Sequence, residues 1–236
     1  MSESPSSLVS HFTVLDKQTV SSDYSLVTLE KPASYVYKAG QCINVGLADM
    51  ADDEARMFSI ASSPKEDVII LLVKHGISEY KKRLITVKPG DKLLVGEPTG
   101  GFEFNNELPA MMIAGGMGIA PFRSIVKYLV DSKYEQRILL IHLHPTNQSP
   151  FAEEFIGWQR QFKSFQFNAL TANNKRLDLQ ELLRQQQTDF GLANPVYYLA
   201  GPSDMVISCR QALEEIGIDP ELVRADSQLA TVASGR

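Results

Sequence analysis

The spacing of apolar positions changes its period part-way along the chain. From Phe12 to about Phe104 apolar residues come in short alternating or β-branched runs: Phe12–Leu15, Tyr24–Leu29, Gln41–Val45, Met57–Ile60, Val68–Val73 and Lys92–Val95. Alternation sends successive side chains to opposite faces of a strand. Lys38-Ala-Gly40 and Lys88-Pro-Gly-Asp91 supply turns between the runs. Six such strands predict a small antiparallel β-barrel, with one short helix, Ser78–Leu84, over one end.

After Asn105-Asn-Glu-Leu-Pro109 the rhythm becomes apolar run, helical period, apolar run. Met111–Ala114 leads through a glycine turn to a helix with Phe122, Ile125, Val126, Leu129 and Val130 on one face. The alternation continues with Ile138–Ile141, a helix at about 151–162, Phe165–Leu170, a helix carrying Leu179, Leu182 and Leu183, and Val196–Leu199. A last helix presents Met205, Val206, Cys209, Ala212, Leu213 and Ile216, and Leu222–Arg224 completes the sheet. Fully apolar strands alternating with helices predict a doubly wound parallel sheet. The reading is therefore of two domains, a barrel at 8–106 and an α/β domain at 107–236. Ligands on such sheets bind at the carboxyl ends of the strands, so chemistry is expected where the domains face each other.

Composition narrows this further. With 236 residues, 44% hydrophobic and 22% charged, a disordered or collagen-like chain is excluded. The net charge of −5 offers no whole-chain attraction to phosphate backbones or anionic membranes, so no nucleic-acid partner is expected. Cys42 and Cys209, the two cysteines, cannot supply four thiolates to an iron–sulfur cluster or an all-cysteine zinc site, and no metal site is read. They read as reduced thiols of a cytoplasmic protein. Met1–Ser7 lacks the basic start and apolar stretch of a signal peptide, and no run of about 18 apolar residues would span a membrane. Residues 1 to about 10 and Ser227–Arg236 are expected to be loose. Eight of the 15 glycines fall in the 43 residues from Gly76 to Gly118, so bare backbone is needed mid-chain.

Two segments carry chemistry. Gly115, Gly116, Met117, Gly118, Ile119, Ala120 and Pro121 lie between a buried strand and an amphipathic helix. Glycines there allow positive φ and let a pyrophosphate reach backbone amides, Pro121 suits a first helical turn, and the helix dipole favours the anion. A tight strand-to-helix turn with no ligand is the other reading of the same residues. In Arg56-Met57-Phe58-Ser59 the arginine shares a strand face with the aromatic. The guanidinium suits a diphosphate and Phe58 a flat ring system, while Ser59 turns its hydroxyl the other way. Taken alone, these residues read more readily as a surface arginine beside a core phenylalanine.

Taken together, these motifs resemble the ferredoxin reductase-like flavoprotein superfamily, which includes NAD(P)H:flavin reductases and reductase components of oxygenases. Arg56-Met-Phe-Ser59 resembles its Arg-x-Tyr/Phe-Ser signature, and Gly115–Pro121 its nicotinamide-nucleotide loop. In the same order, Ala39-Gly40-Gln41 resembles its Pro-Gly-Gln turn and Gly76-Ile77-Ser78 a flavin phosphate loop shortened by one residue. Gly96-Glu-Pro-Thr-Gly100 resembles its Gly-Pro-x-Gly segment, and Ala200-Gly201-Pro202-Ser-Asp-Met205 its Cys-Gly-Pro-x-x-Met segment. The resemblance covers about residues 12–226.

It implies an antiparallel barrel that binds FAD, followed by an NAD(P)-binding α/β domain without an iron–sulfur domain. It implies an oxidoreductase that takes hydride from NADH or NADPH and passes electrons to free flavin, a separate electron-transfer protein or an oxygenase partner. Arg56, with Val73, Lys74, His75 and the Gly76–Ser78 loop, would hold the flavin diphosphate. Met57 and Phe58 would pack on the ring, and Ser59 would donate towards the flavin nitrogen that receives hydride. The coenzyme would lie on Gly115–Pro121, Gly201, Pro202 and Met205. Lys74 and His75 also read as a solvated loop face.

The departures matter. Ala200 replaces the cysteine many relatives carry near the nicotinamide, and Gln228 falls where relatives often end in an aromatic. An alternative function follows, a non-catalytic flavin- or nucleotide-binding subunit with a decayed nicotinamide site. His144, where NADP-preferring relatives often place an arginine, is a weak partner for a 2′-phosphate. This favours NADH, although His144 also reads simply as a strand end.

Overall fold

The structure is a computed structural model that describes residues 8–47, 55–102, 104–105, 107–144, 148–171 and 178–225. The expected domain boundary at Asn106, the tail with Gln228, and Pro145 and Thr146 lie outside the described residues.

Six strands form the first sheet: β1 (Leu8–Thr19), β2 (Tyr24–Glu30), β3 (Cys42–Leu47), β4 (Arg56–Ser59), β5 (Val68–Lys74) and β6 (Lys92–Gly96). All neighbours are antiparallel, in the order β4-β3-β6-β1-β2-β5. The ends of this order come together just past β4, where Ile60 bridges Leu71 and the Ala61 amide donates to the Ile70 carbonyl at 2.8 Å. The sheet is thus a nearly closed barrel. Alternating burial along β2 places Val27 and Leu29 inside with Phe12, Ile43, Ile69, Leu71, Leu93 and Val95.

β1 is the element least visible in the pattern. It begins at Leu8, inside the stretch expected to be loose, and runs well beyond Phe12–Leu15 because it serves two partners. Its first half pairs with β6 and its second half with β2, with register shifts between Leu8 and Ser10 and between Val14 and Asp16. Asp16, Lys17 and Gln18 break the apolar run but remain in the ladder, since backbone pairing does not depend on side-chain polarity.

The short helix α1 (Glu79–Leu84) buries Tyr80 and Leu84 against the barrel, and its Tyr80 hydroxyl donates to the Val45 carbonyl at 2.7 Å.

The second sheet is parallel, in the order β11-β10-β7-β8-β9: β7 (Ala110–Gly115), β8 (Ile138–His144), β9 (Phe165–Thr171), β10 (Val196–Ala200) and β11 (Val223–Ala225). Every residue of β7 and β10 is buried, as a sheet covered on both faces demands. The connecting helices are α2 (Ile119–Asp131), α3 (Ala152–Gln161), α4 (Leu179–Phe190) and α5 (Ser203–Glu215). Met111, Ile113, Tyr197 and Leu199 face one way, with Cys209 and Leu213 of α5. Met112, Ala114 and Tyr198 face the other, with Phe122 and Ile125 of α2. This second cluster continues into Tyr24, Ala61, Leu72 and Phe102 on the barrel side, so one apolar core joins the two halves.

Candidate functional site

The parallel sheet reverses its direction of growth at β7, which pairs with β8 on one side and β10 on the other. The chain leaves β7 through a 3₁₀ turn (Gly116–Gly118) into α2, and leaves β10 through Gly201 and Pro202 into α5. A crevice outside two such strand ends is the usual ligand site of this architecture. Here the barrel forms its other wall. The resulting cleft of about 330 Å³ is lined by Gly115, Gly116, Met117, Gly118, Ala120, Gly201 and Pro202, and opposite them by Tyr24, Met57, Phe58, Ser59, Leu72, Lys74 and Lys81.

The glycines of the first loop have different tasks. A Cβ on Gly118 would lie 2.1 Å from the Ala200 carbonyl oxygen, and one on Gly115 would lie 2.3 Å from Met205 Sδ. These two are bare so that the loops after β7 and β10 can nest, and Met205 packs over Gly115 beside the core. Gly116 has φ +52° and meets nothing nearer than the Tyr24 hydroxyl, 3.5 Å from its would-be Cβ. Ile119 and Pro121 are buried beneath the loop. Gly118 is the N-cap of α2 and no side chain caps this helix; in its first turn the Ile119 amide donates to the Met117 carbonyl and Pro121 has no N–H, so the positive end of the helix dipole faces the loop.

On the barrel wall, Phe58 is buried and stacks on Tyr80 of α1, with ring centroids 6.3 Å apart and planes at 28°. The Arg56 guanidinium carbon lies 5.7 Å from the centroid of the same Tyr80 ring. Arginine and phenylalanine do share a face, and Tyr80 is what they share. Ser59 is half-buried at the cleft. Lys74 closes one side, and Lys81 folds over Gly76, whose would-be Cβ lies 2.7 Å from Lys81 Cδ. Ser78 caps α1 by accepting from the Lys81 amide at 3.4 Å.

Other predicted residues do not line the cleft. Val73 faces the barrel interior, and Ile77 is 92% exposed. The His75 ring donates through Nδ1 to the Ser22 carbonyl at 2.8 Å and meets Ser25 Oγ at 2.8 Å through Nε2, tying the end of β5 to the β1–β2 turn. His144 is buried, its ring 5.6 Å from that of Tyr24 and 5.2 Å from that of His142.

Three participants escaped the sequence reading. Tyr24 opens β2 opposite Lys74, where nothing separates a cleft aromatic from a core one. Lys81 sits in a basic helix face. His142 lies one residue past the apolar run Ile138–Ile141, yet the two-residue period places it on the Leu140 face, beneath the glycine loop. Its Nε2 is 3.0 Å from the Gly116 carbonyl oxygen and its Nδ1 is 2.6 Å from Ser149 Oγ.

The barrel, the switch-point cleft and its glycine loop together give the two-domain fold of ferredoxin reductases. Residues 112–211 match the oxidoreductase NAD-binding domain. A ferredoxin NADP+ reductase from Neisseria gonorrhoeae, solved with bound FAD and NADP, has the same fold, with a TM-score of 0.79 and 19% identity over 92% of this chain and 97% of that one. Reductase component 1 of terephthalate 1,2-dioxygenase from Comamonas sp is 28% identical over 86% of this chain and 63% of that protein. The toluate 1,2-dioxygenase electron transfer component of Pseudomonas putida is 23% identical over 90% of this chain and 64% of that protein. The chain thus spans less than two thirds of the length of these curated relatives.

Proposed function

We propose that the protein is an FAD-dependent oxidoreductase that accepts hydride from NADH or NADPH and passes electrons to a free flavin, a separate electron-transfer protein or an oxygenase partner. The observation that carries this reading is the cleft in which Phe58 and Ser59 of the barrel face the Gly116 loop of the parallel sheet. Its volume lies at the low end of the roughly 300–1,000 Å³ usual for small-molecule sites, enough for a ring system with its phosphates outside. The kinship of the relatives, reductase components of oxygenases and a ferredoxin NADP+ reductase, supports the same reading.

The residues fit the two nucleotides. Within 8–106, Phe58 backed by Tyr80 gives a flat apolar surface, and Arg56, Lys74 and Lys81 supply cations for a diphosphate. Within 107–236, Gly116 and Met117 offer loop amides, and the start of α2 the positive end of its dipole, to a second diphosphate. FAD, when bound, supplies the two-electron chemistry. The protein's part is to hold the ring and the coenzyme in register, exclude water and place the Ser59 hydroxyl as a donor beside the reacting ring. Gly201 and Pro202 form the floor against which the coenzyme would rest. The burial of His144 supports NADH, because a 2′-phosphate needs an accessible cation.

The test is the absorbance spectrum of the purified protein supplied with FAD, recorded without oxygen before and after NADH and NADPH separately. Flavin absorbance that bleaches faster with NADH is the expected result. Flavin that binds but is not bleached by either coenzyme would instead establish the non-catalytic reading. A protein that binds no flavin and oxidises neither coenzyme with an artificial acceptor would end both.

A further inference from the structure

We propose that His142 is a positioning residue for the nucleotide loop, holding the Gly116 carbonyl through Nε2–H while Ser149 fixes the tautomer. This rests on the coenzyme-binding reading above. His142 is fully buried at the end of β8, and its two ring nitrogens meet groups of opposite kind. The Gly116 carbonyl, 3.0 Å from Nε2, can only accept. The Ser149 hydroxyl, 2.6 Å from Nδ1, can donate. A neutral imidazole has a single N–H, so these partners select the form with its proton on Nε2, and the ring bridges Ser149 to the loop.

The bond acts on the peptide that follows Gly116, at the start of the 3₁₀ turn. Gly116, at φ +52°, has no side chain to oppose rotation of the peptide that follows it. In a trans peptide the C=O and the next N–H point in opposite directions. Holding the Gly116 carbonyl towards β8 therefore turns the Met117 amide away from His142, as a donor for an anion on the cleft side. Gly115 and Gly118 are fixed by contact with Met205 and Ala200, so the Gly116–Met117 peptide is the part of the loop left for a hydrogen bond to set. The inferred role is in coenzyme affinity rather than in the hydride step.

Steady-state kinetics with NADH and an artificial acceptor, on protein with measured FAD content, test this. His142→Leu should raise KM about tenfold, the cost of one buried hydrogen bond, with kcat and FAD content close to wild type. His142→Gln, whose amide can still donate to Gly116, should recover most of the loss. A wild-type KM in His142→Leu overturns the proposal, as do equal defects in Leu and Gln variants with kcat and FAD content falling together. Should His142→Leu fail to fold, Ser149→Ala decides: a raised KM at unchanged kcat supports the bridge, and a wild-type KM overturns it. If the wild type oxidises neither coenzyme, the function proposed above falls and this role with it; an active wild type with unaffected variants removes only the role of His142.

Discussion

Burial pushes the His142 imidazole down, the Gly116 hydrogen bond works the other way and the neighbouring His144 adds to the lowering, which together leave it at about 4. The unfolded chain has an ordinary histidine that gains its proton near pH 6.5. Between these values the unfolded state binds more protons than the folded one, so this contribution to stability is complete above about pH 6.5 and is lost as pH falls towards 4. Urea denaturation near pH 5 should show about 2 kcal/mol less stability from this group than near pH 7.5, and His142→Gln should remove that difference. The glycines make a second residue-scale prediction. Gly118→Ala, with its Cβ 2.1 Å from backbone oxygen, should destabilise by more than about 3 kcal/mol in thermal melts. Gly116→Ala should cost only the strain of positive φ, about 1–2 kcal/mol, and leave the fold intact. The chain showed that this turn needs glycine. It could not show that two of the three glycines answer to Ala200 and Met205, residues far along the sequence.

At the scale of elements, α1 has six residues, too few to be stable in isolation. It is held by the Ser78 cap, by Leu84, and by Tyr80, whose hydroxyl reaches Val45 and whose ring lies against Phe58 and Arg56. Tyr80→Ala should therefore destabilise by about 3–5 kcal/mol and also weaken FAD retention, measured by denaturation and by flavin titration. Tyr80→Phe should cost about 1 kcal/mol and retain FAD. The apolar face of α2 and the buried runs of β7, β8 and β10 were legible because their periods are clean. The full extent of β1 was not, because a strand that changes partners half-way is kept in the sheet by backbone pairing rather than by its side chains.

In the whole molecule, the two halves are joined by a buried guanidinium as well as by the shared apolar core. Arg123 of α2 is 4% exposed. It donates to the Ala61 carbonyl at 2.9 Å and to Glu66 at 3.0 and 3.2 Å on the barrel side, and to Glu154 of α3 at 2.6 and 3.1 Å. Burial alone would lower its proton affinity, but the bonds to Glu154 and Glu66 outweigh this and raise it. Glu66→Ala leaves the cation short of a partner and should cost about 3 kcal/mol, read as a lower urea midpoint. Nothing local marked Glu66, Arg123 and Glu154 as partners, since each alone reads as a surface charge. By itself the sequence determined the two kinds of sheet, the place of the glycine loop and the motifs on which the proposed flavin and nicotinamide sites rest, because periodicity and short motifs are local properties of the chain. Tertiary structure alone decided which residues share the cleft. It brought Tyr24 and Lys81 to it, set His142 beneath its glycine loop, turned Val73 and His144 inward, and set the halves against each other through Arg123, because contacts between distant segments depend on how the sheets pack.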